Sequence, residues 1–362
     1  MEKLNVGWGS VAQCNMNCAF CYSKFRRVSL EENLGYSDWI NFVDNNHDLI
    51  NSINYGTGEN TLNRDWFKLV HYIRRRYPHI RQALTTNGHL SLAVKDDFAL
   101  KTFVEAIDEV DVSLDFADAR KHNSFRGQPK AYSWAIQTLE LCRRHDKKLT
   151  VVFLGSSKNV YVENVDGLFD IARKYDAVLR MNIYRPTEGL NALSKQFILS
   201  FSQLRDILLH IADKYRVLKI DDPLFASVFC NAANDDPSGS KSIRILPDGS
   251  ITPSTYLITN DYAVGNITDD NVLAEIQSAG KLSRLIKKVL PEECKGCAYA
   301  ETCGGGVYDR RYLWFGSLNH KDPYCPRFFD KKNENDLIKC VPCGDSFSSV
   351  HDGYLPTIFF KY

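Results

Sequence analysis

The sequence has little net charge, no long apolar run and no apolar segment at its N-terminus. Its 362 residues carry a formal net charge of +1, so no strong field attracts a nucleic acid or a membrane surface. No apolar run approaches the roughly 18–20 residues that span a bilayer. The residues Met1–Asn5 lack the apolar core of a signal peptide. We therefore expect a cytoplasmic protein with neither a nucleic-acid nor a membrane partner.

Internal repeats and low-complexity tracts are also missing, whereas cysteine is plentiful. The chain has 11 cysteines and is 44% hydrophobic, which favours a packed globular protein over disorder. A chain of this length is expected to form one large domain and a smaller one. In a reducing cytoplasm, thiols serve metals or catalysis more often than disulfides. The cysteines are therefore the first candidates for chemistry.

Three of the cysteines lie close together near the N-terminus. Cys14, Cys18 and Cys21 have the spacing C-x3-C-x2-C. Three such thiolates can hold a four-iron cluster, and they leave one iron open to bind a small molecule. A zinc site would more often use paired C-x2-C ligands, and a disulfide framework belongs to small secreted chains. The spacing favours a cluster built for chemistry, with structural zinc or unused thiols as the alternatives.

Up to about residue 190, short β-rich runs alternate with longer amphipathic runs. The predicted strands are Leu4–Gly7, Ile50–Tyr55, Gln82–Thr86, Val110–Leu114, Leu149–Leu154 and Val178–Tyr184. The predicted helices include Trp39–Asn45, Asn63–Arg75, Asp97–Ala106, Tyr132–Arg144 and Val165–Lys174, with a further helix at Ser202–Lys214. Such alternation indicates parallel βαβ units. Active-site groups of parallel barrels lie at the carboxyl ends of the strands.

Polar and glycine-rich segments follow three of these strands. Tyr55–Asn60 follows the second strand, Asn87–Gly88 the third and Ser113–Asp115 the fourth. Taken singly, each segment is an ordinary turn or helix cap. Because all three lie where a parallel barrel places its active site, together they favour a binding site.

The sixth strand carries polar side chains at alternate positions. Arg180, Asn182 and Tyr184 share one face of that strand. This face could line the mouth of the barrel and bind a polar ligand. It could equally be a solvated edge or contain a buried ion pair.

Four cysteines in the C-terminal third could form a second metal site. Cys294, Cys297, Cys303 and Cys325 have the spacing C-x2-C-x5-C with a distant fourth cysteine. Four thiolates could hold zinc or a [4Fe–4S] cluster. Upstream, Ser242–Ile251 alternates around a Pro-Asp-Gly turn and predicts a β-hairpin.

The N-terminal cysteine motif, with Phe20 and Tyr22 beside its third cysteine, resembles the radical S-adenosylmethionine (SAM) superfamily. The resemblance implies an α/β fold, a partial (β/α)6 TIM-type barrel. It also implies that the open iron binds SAM, which is cleaved to a 5′-deoxyadenosyl radical that abstracts hydrogen from a substrate. It assigns SAM binding to Tyr22, Gly56, Thr57, Gly58, Glu59, Asn87, Ser113, Asp115 and Arg126. Thr57 and Asn60 depart from the family's G-G-E-P motif, whose backbone holds the SAM amino group.

The C-terminal cysteines resemble the SPASM extension of radical SAM enzymes, which carries auxiliary [4Fe–4S] clusters. A full extension has two clusters, but two ligand positions of the first are Ser254 and Val307 here. The resemblance therefore implies one auxiliary cluster in a shortened, twitch-like domain, with Cys230 as a leftover ligand. The implied domains are a core barrel (1–195), a bridging helical segment (196–224), the small cysteine-rich domain (225–330) and a tail (331–362).

The tail contains Cys340 and Cys343, which match no motif of the family. They could be unused thiols, hydrogen-atom donors or a redox-active pair, or they could join Cys230 in rebuilding a cluster. Arg180, Asn182 and Tyr184 are the other candidates for catalytic or substrate contacts.

The resemblance implies an enzyme that modifies a ribosomally synthesised peptide by cross-linking, thioether formation or epimerisation. Thirteen residues precede Cys14, so a separate protein could supply leader-peptide recognition. A flavodoxin or ferredoxin would donate electrons. The alternative is a small-molecule radical SAM dehydrogenase or epimerase acting on an aminoglycoside or sugar. A more distant alternative is a non-catalytic iron–sulfur carrier or sensor.

Overall fold

The fold is one mixed, mainly parallel sheet with helices packed against it. The computed structural model describes residues 2–24, 34–230, 232–234, 236–282, 290–326, 347–351 and 353–362. Among these residues, no helix has the length and hydropathy needed to span a bilayer.

Eleven strands in the described part of the chain form a single sheet. They are β1 (Leu4–Trp8), β2 (Ile50–Tyr55), β3 (Arg81–Thr86), β4 (Glu109–Ser113), β5 (Lys148–Gly155), β6 (Val178–Ile183), β7 (Arg216–Ile220), β8 (Ser242–Ile245), β9 (Ser250–Thr252), β10 (Gly265–Asn266) and β11 (Ile358–Lys361). Their order is β10-β9-β8-β1-β2-β3-β4-β5-β6-β11-β7. Strands β1 to β6 are parallel neighbours in sequence order.

Helices follow most of the parallel strands. They are α1 (Tyr36–Asn46), α2 (Arg64–Arg76), α3 (Leu90–Ala93), α4 (Asp97–Ala106), α5 (Ala119–Arg126), α6 (Ala131–Arg144), α7 (Val162–Lys174), α8 (Phe201–Lys214), α9 (Pro223–Cys230), α10 (Val272–Ser278), α11 (Ala300–Cys303) and α12 (Tyr308–Phe315). Short 3-10 turns lie at His47–Leu49, Asn60–Leu62, Ser194–Gln196, Asn260–Tyr262 and Glu292–Cys294.

Local sequence explains where several helices begin. The side chain of Asp96 accepts a hydrogen bond from the backbone of Ala99 at the start of α4, and Asp118 does the same for α5. Ser200 and Gln203 form a reciprocal capping box at the start of α8. Such caps satisfy backbone N–H groups that the helix leaves without partners.

The predicted α/β fold is confirmed. All six predicted strands are present and differ by at most one residue at either end. The six predicted helices are also present, with N-terminal shifts of up to three residues. The core comprises the apolar faces of these strands and helices.

The C-terminal hairpin extends the barrel sheet. Strands β8 and β9 are antiparallel around the predicted turn, and β8 pairs in parallel with β1. The region after residue 225 therefore shares its sheet with the barrel. The proposed domain boundaries remain a prediction.

The last strand lies inside the sheet. Strand β11 is antiparallel to both β6 and β7 and separates them. Just before it, residues 347–351 and 353–357, here called the floor segment, cross the N-terminal ends of the strands. Ser349 contacts Glu109 at the start of β4, and Gly353 accepts a hydrogen bond from Asn5 in β1. The floor segment thus closes the bottom of the barrel.

Candidate active site

A cavity of about 200 Å³ lies at the carboxyl ends of the barrel strands. Most of the predicted site residues line it. They are Cys14, Cys18, Cys21, Tyr22, Gly56, Thr57, Gly58, Asn87, Ser113, Arg126, Arg180, Asn182 and Tyr184. The fold therefore brings together segments that are separated by up to 170 residues in the sequence.

The loop that carries the three cysteines is fixed by the segment after β2. The backbone N–H of Glu59 donates to the carbonyl of Gln13 at 2.8 Å. The side chain of Asn60 accepts a hydrogen bond from the Ser10 N–H at 3.2 Å. Asn60, which departs from the family motif, is thus an anchor of the cysteine loop.

Hydrogen-bond donors and buried surroundings lie around the sulfur atoms. The Asn87 side-chain amide donates to Cys14 Sγ at 3.6 Å. Burial raises the pKa of Cys18 to about 11, although the nearby charge of Arg126 lowers it. Buried thiols of this kind become thiolate ligands when the positive charge of bound iron offsets the cost of burial. All three cysteines line the cavity, and their chemistry fits a cluster that they would hold from one side of it.

The turn after β2 has an unusual backbone. Thr57 has a φ of 77° and Gly58 a φ of 65°. A Cβ atom on Gly58 would lie 2.5 Å from the carbonyl oxygens of both Val11 and Gln13. Glycine at position 58 therefore permits close approach of this turn to the cysteine loop. The Thr57 hydroxyl lies 3.1 Å from the hydroxyl of Tyr22.

The Glu59 side chain does not line the cavity, so the predicted contact of this motif residue with SAM, which would be made by backbone, remains a prediction. Its side chain is 1% exposed. The carboxylate accepts hydrogen bonds from the Thr86 hydroxyl at 3.0 Å and the Asn87 N–H at 2.8 Å. Burial raises the pKa of Glu59, and these hydrogen bonds lower it. Glu59 acts as a positioning residue for the Asn87 turn.

Asp115 is also buried away from the cavity, which corrects its predicted contact with SAM. One oxygen pairs with Arg126 Nε at 2.6 Å, and the other accepts the N–H of Leu154 at 2.9 Å. The Asp115 N–H donates to His122 Nδ1 at 3.1 Å. The carboxylate therefore positions Arg126, whose guanidinium faces the cavity beside Cys18.

The polar face of β6 both lines the cavity and contains a buried ion pair, and these are two of the three alternatives predicted from the sequence. Arg180, Asn182 and Tyr184 all line the cavity. Arg180 also forms a buried ion pair with Asp111, with a distance of 2.6 Å between Nη2 and Oδ2. The Asn182 side chain accepts a hydrogen bond from Thr357 of the floor segment at 2.7 Å.

Sequence reasoning missed several residues that line the cavity. They are Arg185, Arg244, Thr255, Tyr256, His351, Tyr354 and Leu355, among others. Arg244 is a charged residue among the apolar neighbours of β8. This pattern was the sequence signal that could have identified it as a cavity residue. The floor segment carried no comparable signal, because only the closed barrel brings it beneath the cavity.

The four C-terminal cysteines border a second, smaller cavity of about 40 Å³. Its lining includes Cys294, Cys297, Cys303 and Cys325 together with Leu224 and Val228. Burial raises the pKa values of Cys294 and Cys303. Within the described residues, no three His, Cys, Asp or Glu side chains converge as ligands of one metal ion. A four-iron cluster binds each thiolate to a different iron and so spreads its ligands further.

Ser254 and Val307, the two positions at which the resemblance leads one to expect cluster ligands, have other surroundings. Ser254 donates a hydrogen bond to Asp309 Oδ2 at 2.8 Å, and Val307 is fully buried. Cys230 ends α9 and does not line the smaller cavity as described. Cys340 and Cys343 lie outside the described residues.

Comparison with known proteins agrees with the N-terminal motif. Residues 10–164 match the family model of the radical SAM superfamily. These residues thus resemble a radical SAM domain, as the N-terminal motif predicts, and membership of the chain as a whole remains a proposal. The SPASM extension remains a proposal.

Relatives of similar length extend over most of the chain. The mycofactocin maturase MftC of Mycolicibacterium smegmatis is 24% identical and covers 96% of this chain and 88% of its own length. The AdoMet-dependent heme synthase of Methanosarcina barkeri is 23% identical over 88% of this chain and 95% of its own. The structure of native anSMEcpe with bound AdoMet and Cp18Cys peptide superimposes with a TM-score of 0.71 at 19% identity. That match covers 92% of this chain and 98% of the other, and it supports the fold.

Proposed function

We propose that this protein is a radical SAM enzyme that modifies a ribosomally synthesised peptide. The observation that carries the proposal is that three cysteines and most of the predicted SAM contacts converge on one cavity. When bound, a [4Fe–4S] cluster supplies the electron that cleaves SAM to a 5′-deoxyadenosyl radical, which abstracts hydrogen from the substrate. Cys14, Cys18 and Cys21 would hold this cluster.

The remaining cavity residues bind and orient SAM in this proposal. The Gly56–Gly58 turn presents backbone groups at the cavity wall, where it would hold the SAM amino group. Ser113, Asn87 and Arg126 would contact the ribose and the carboxylate. Asp115 holds Arg126 in place through the buried ion pair. Tyr22 contacts Thr57 in the wall of the cavity and would help to enclose SAM there.

The C-terminal cysteines would hold one auxiliary [4Fe–4S] cluster in a twitch-like domain. Cys294, Cys297, Cys303 and Cys325 border a common cavity. With four thiolate ligands, no iron is open to substrate, so such a cluster would relay an electron or shape the pocket. Electron relay would suit a net oxidation such as cross-linking.

Two relatives favour a peptide as the substrate. One is called a maturase, and the anSMEcpe structure holds a peptide beside AdoMet. We propose cross-linking, thioether formation or epimerisation as the reaction in the cytoplasm. A flavodoxin or ferredoxin would donate the electron, and a separate protein could recognise a leader peptide.

A small-molecule substrate is the second candidate. The relative from Methanosarcina barkeri is named a heme synthase, so similarity of this kind does not restrict the substrate to peptides. An aminoglycoside or sugar dehydrogenase or epimerase would use the same cavity. In this alternative, the substrate that contacts the cavity wall opposite the cysteines would be a small molecule instead of a peptide.

An anaerobic experiment tests the proposed chemistry. The full chain and a Cys14/Cys18/Cys21→Ala variant are reconstituted, their iron is counted, and 5′-deoxyadenosine released from SAM under dithionite is measured. We expect about eight irons in the wild type and about four in the variant. Deoxyadenosine should come from the wild type alone.

Cys142→Ala is the matched control, because Cys142 is buried in α6 away from both cavities. This variant should keep all its iron and its activity. Zinc in place of iron, or equal release of deoxyadenosine by the triple variant, would contradict the proposal. Candidate peptides and aminosugars can then be compared by how strongly they stimulate the release.

A further inference from the structure

Arg244 is a buried cation without a carboxylate partner among the described residues. It lies in β8, is 1% exposed and lines the large cavity. Its guanidinium donates to the Gly56 carbonyl and to the hydroxyls of Thr57, Tyr354 and Tyr22, the last two at 3.0 and 3.4 Å. All four acceptors are neutral groups, and the Nε atom of Arg244 has no hydrogen-bond partner in the part of the chain that the structure describes.

Such a site is costly unless an anion completes it. A buried charge costs several kcal/mol when it has no opposite charge. Several other buried arginines of the described structure have carboxylate partners. Arg310 contacts both Asp222 and Asp322, and Arg126 contacts Asp115. Arg244 therefore differs from Arg310 and Arg126, whose charges are neutralised within the fold.

Two further arginines line the same cavity, and each has donors without a partner among the described residues. Arg185 pairs with Asp309 at 2.6 Å, and in the described structure its Nη2 atom has no hydrogen-bond partner. Arg180 pairs with Asp111, and its Nε and Nη1 atoms have no partner in the part of the chain that the structure describes. His351 also contacts Asp111 at 2.9 Å. Arg180 and Arg185 thus each contact a carboxylate and keep donors for a ligand, whereas Arg244 contacts no carboxylate of the described residues.

We propose that Arg180, Arg185 and Arg244 form a subsite for a carboxylate of the substrate. A guanidinium matches a carboxylate because its N–H groups form a planar fork. The assignment rests on the proposed function, in which the cavity also holds SAM. The carboxylate of SAM is the other possible source of this chemistry, and Arg126 beside Cys18 already offers it a partner.

The C-terminal region supplies part of this subsite. Asp309 in α12 receives hydrogen bonds from both Arg185 and Ser254. Ser254 occupies a ligand position of the missing auxiliary cluster. The hydrogen-bonded network therefore fixes Arg185 in a part of the molecule where a full SPASM extension would place metal.

Benzoate and benzamide are suitable probes, since Tyr22, Tyr184 and Tyr256 offer the cavity an aromatic wall. The two probes have similar shapes and differ in charge. Binding of each to the reconstituted full chain is measured by calorimetry at fixed ionic strength, with and without saturating SAM. We expect benzoate to bind about tenfold more tightly than benzamide in the presence of SAM, as one charge-assisted bidentate contact provides.

Variants then assign the charge preference to the arginines. Arg244→Gln should remove the preference, whereas Arg244→Lys should retain only part of it. Arg75→Gln, on the exposed end of α2, is the matched control and should behave as wild type. The comparison of the two probes in wild type decides the question even where a variant does not fold.

Three results would overturn the assignment. They are equal affinity for the two probes, no detectable benzoate binding, and loss of benzoate binding when SAM is added. The last result, with weaker SAM binding in Arg244→Gln, would assign the arginines to SAM. Deoxyadenosine release is measured separately, so a failed carboxylate preference in an enzyme that cleaves SAM leaves the proposed function intact. A retained preference without SAM cleavage would contradict the proposed function instead.

Discussion

Single residues control the turn that meets the cysteine loop. Thr57 adopts a φ of 77°, a region that costs a β-branched residue about 1–2 kcal/mol. Its hydroxyl contacts Tyr22 and Arg244, and these contacts offset part of that cost. The family motif has glycine at this position, where no such strain arises. The departure at Thr57 thus adds a polar contact to the cavity wall.

Gly58→Ala should displace the cysteine loop. The new methyl group would lie 2.5 Å from two backbone carbonyls, at a φ of 65°. We expect the variant to retain much less iron after reconstitution. Gly56→Ala is the control, because its methyl group would lie 3.8 Å from its nearest neighbour, the Cβ atom of Thr85. Equal iron content in the two variants would show that the close approach is unimportant.

His122 should make the fold sensitive to acid. Burial lowers the pKa of His122 from 6.5 to about 3. The negative charge of Asp115 opposes this shift, and the positive charge of Arg126 adds to it. Below pH 6.5 the unfolded chain binds a proton that the folded chain refuses, so stability falls as the pH drops from about 6.5 towards 3. The slope from this one group is at most about 1.4 kcal/mol per pH unit.

His122→Gln removes this titration, so urea unfolding between pH 7 and pH 5 should depend less steeply on pH. The absolute stability of the variant does not matter for this test, because the slope is the readout. Parallel pH dependences for wild type and variant would mean that His122 is protonated in the folded state.

Among the secondary-structure elements, β11 connects the end of the chain to the middle of the sheet. It pairs with β6 on one side and β7 on the other. The floor segment before it supplies His351 and Tyr354 to the cavity. Packing of this last strand therefore keeps part of the cavity wall in place.

Phe360→Ala tests how much β11 stabilises the molecule. Phe360 is fully buried and lies edge-on to Phe169 of α7. Removing a buried aromatic side chain typically costs about 3–5 kcal/mol of unfolding free energy. Phe98→Ala, at a residue that is 41% exposed, should cost well under that amount. Similar losses in denaturant unfolding of the two variants would contradict a structural role for β11.

For the whole molecule, a buried ion pair connects the barrel to the C-terminal region. Arg185 follows β6 and Asp309 lies in α12, and both side chains are 0% exposed. A buried pair is weak evidence for net stabilisation, but removing one partner leaves an uncompensated charge. The pair therefore makes the arrangement of the two regions specific.

Asp309→Asn should destabilise the protein by about 3–5 kcal/mol, because Arg185 stays buried and charged. The double variant Arg185→Met/Asp309→Leu should lose less than the sum of the two single changes. A double-mutant cycle from denaturant unfolding measures this coupling. The exposed pair Arg173–Asp170 is the control, with a coupling of about 0–1 kcal/mol. Additive losses at Arg185 and Asp309 would show that the regions are independent.

Periodicity and spacing were sufficient for the barrel and its cysteines. Alternation of strands and helices depends on local hydrophobic pattern, so β2 and α4 were predicted to the residue. A motif indicates that a residue belongs near the site and does not indicate which way its side chain points, so the sequence did not predict that the side chains of Glu59 and Asp115 lie outside the cavity. Both carboxylates lie behind the wall that they position.

The sequence by itself determined the βαβ order, the cysteine motifs and the β8–β9 hairpin, since each depends on residues close together in the chain. Only the tertiary structure decided that Arg185, Arg244 and the floor segment meet at one cavity. These groups come from distant segments, and long-range packing brings them together. The charge that remains at Arg244 is likewise a property of that packing, because it depends on which carboxylates the fold leaves out of reach.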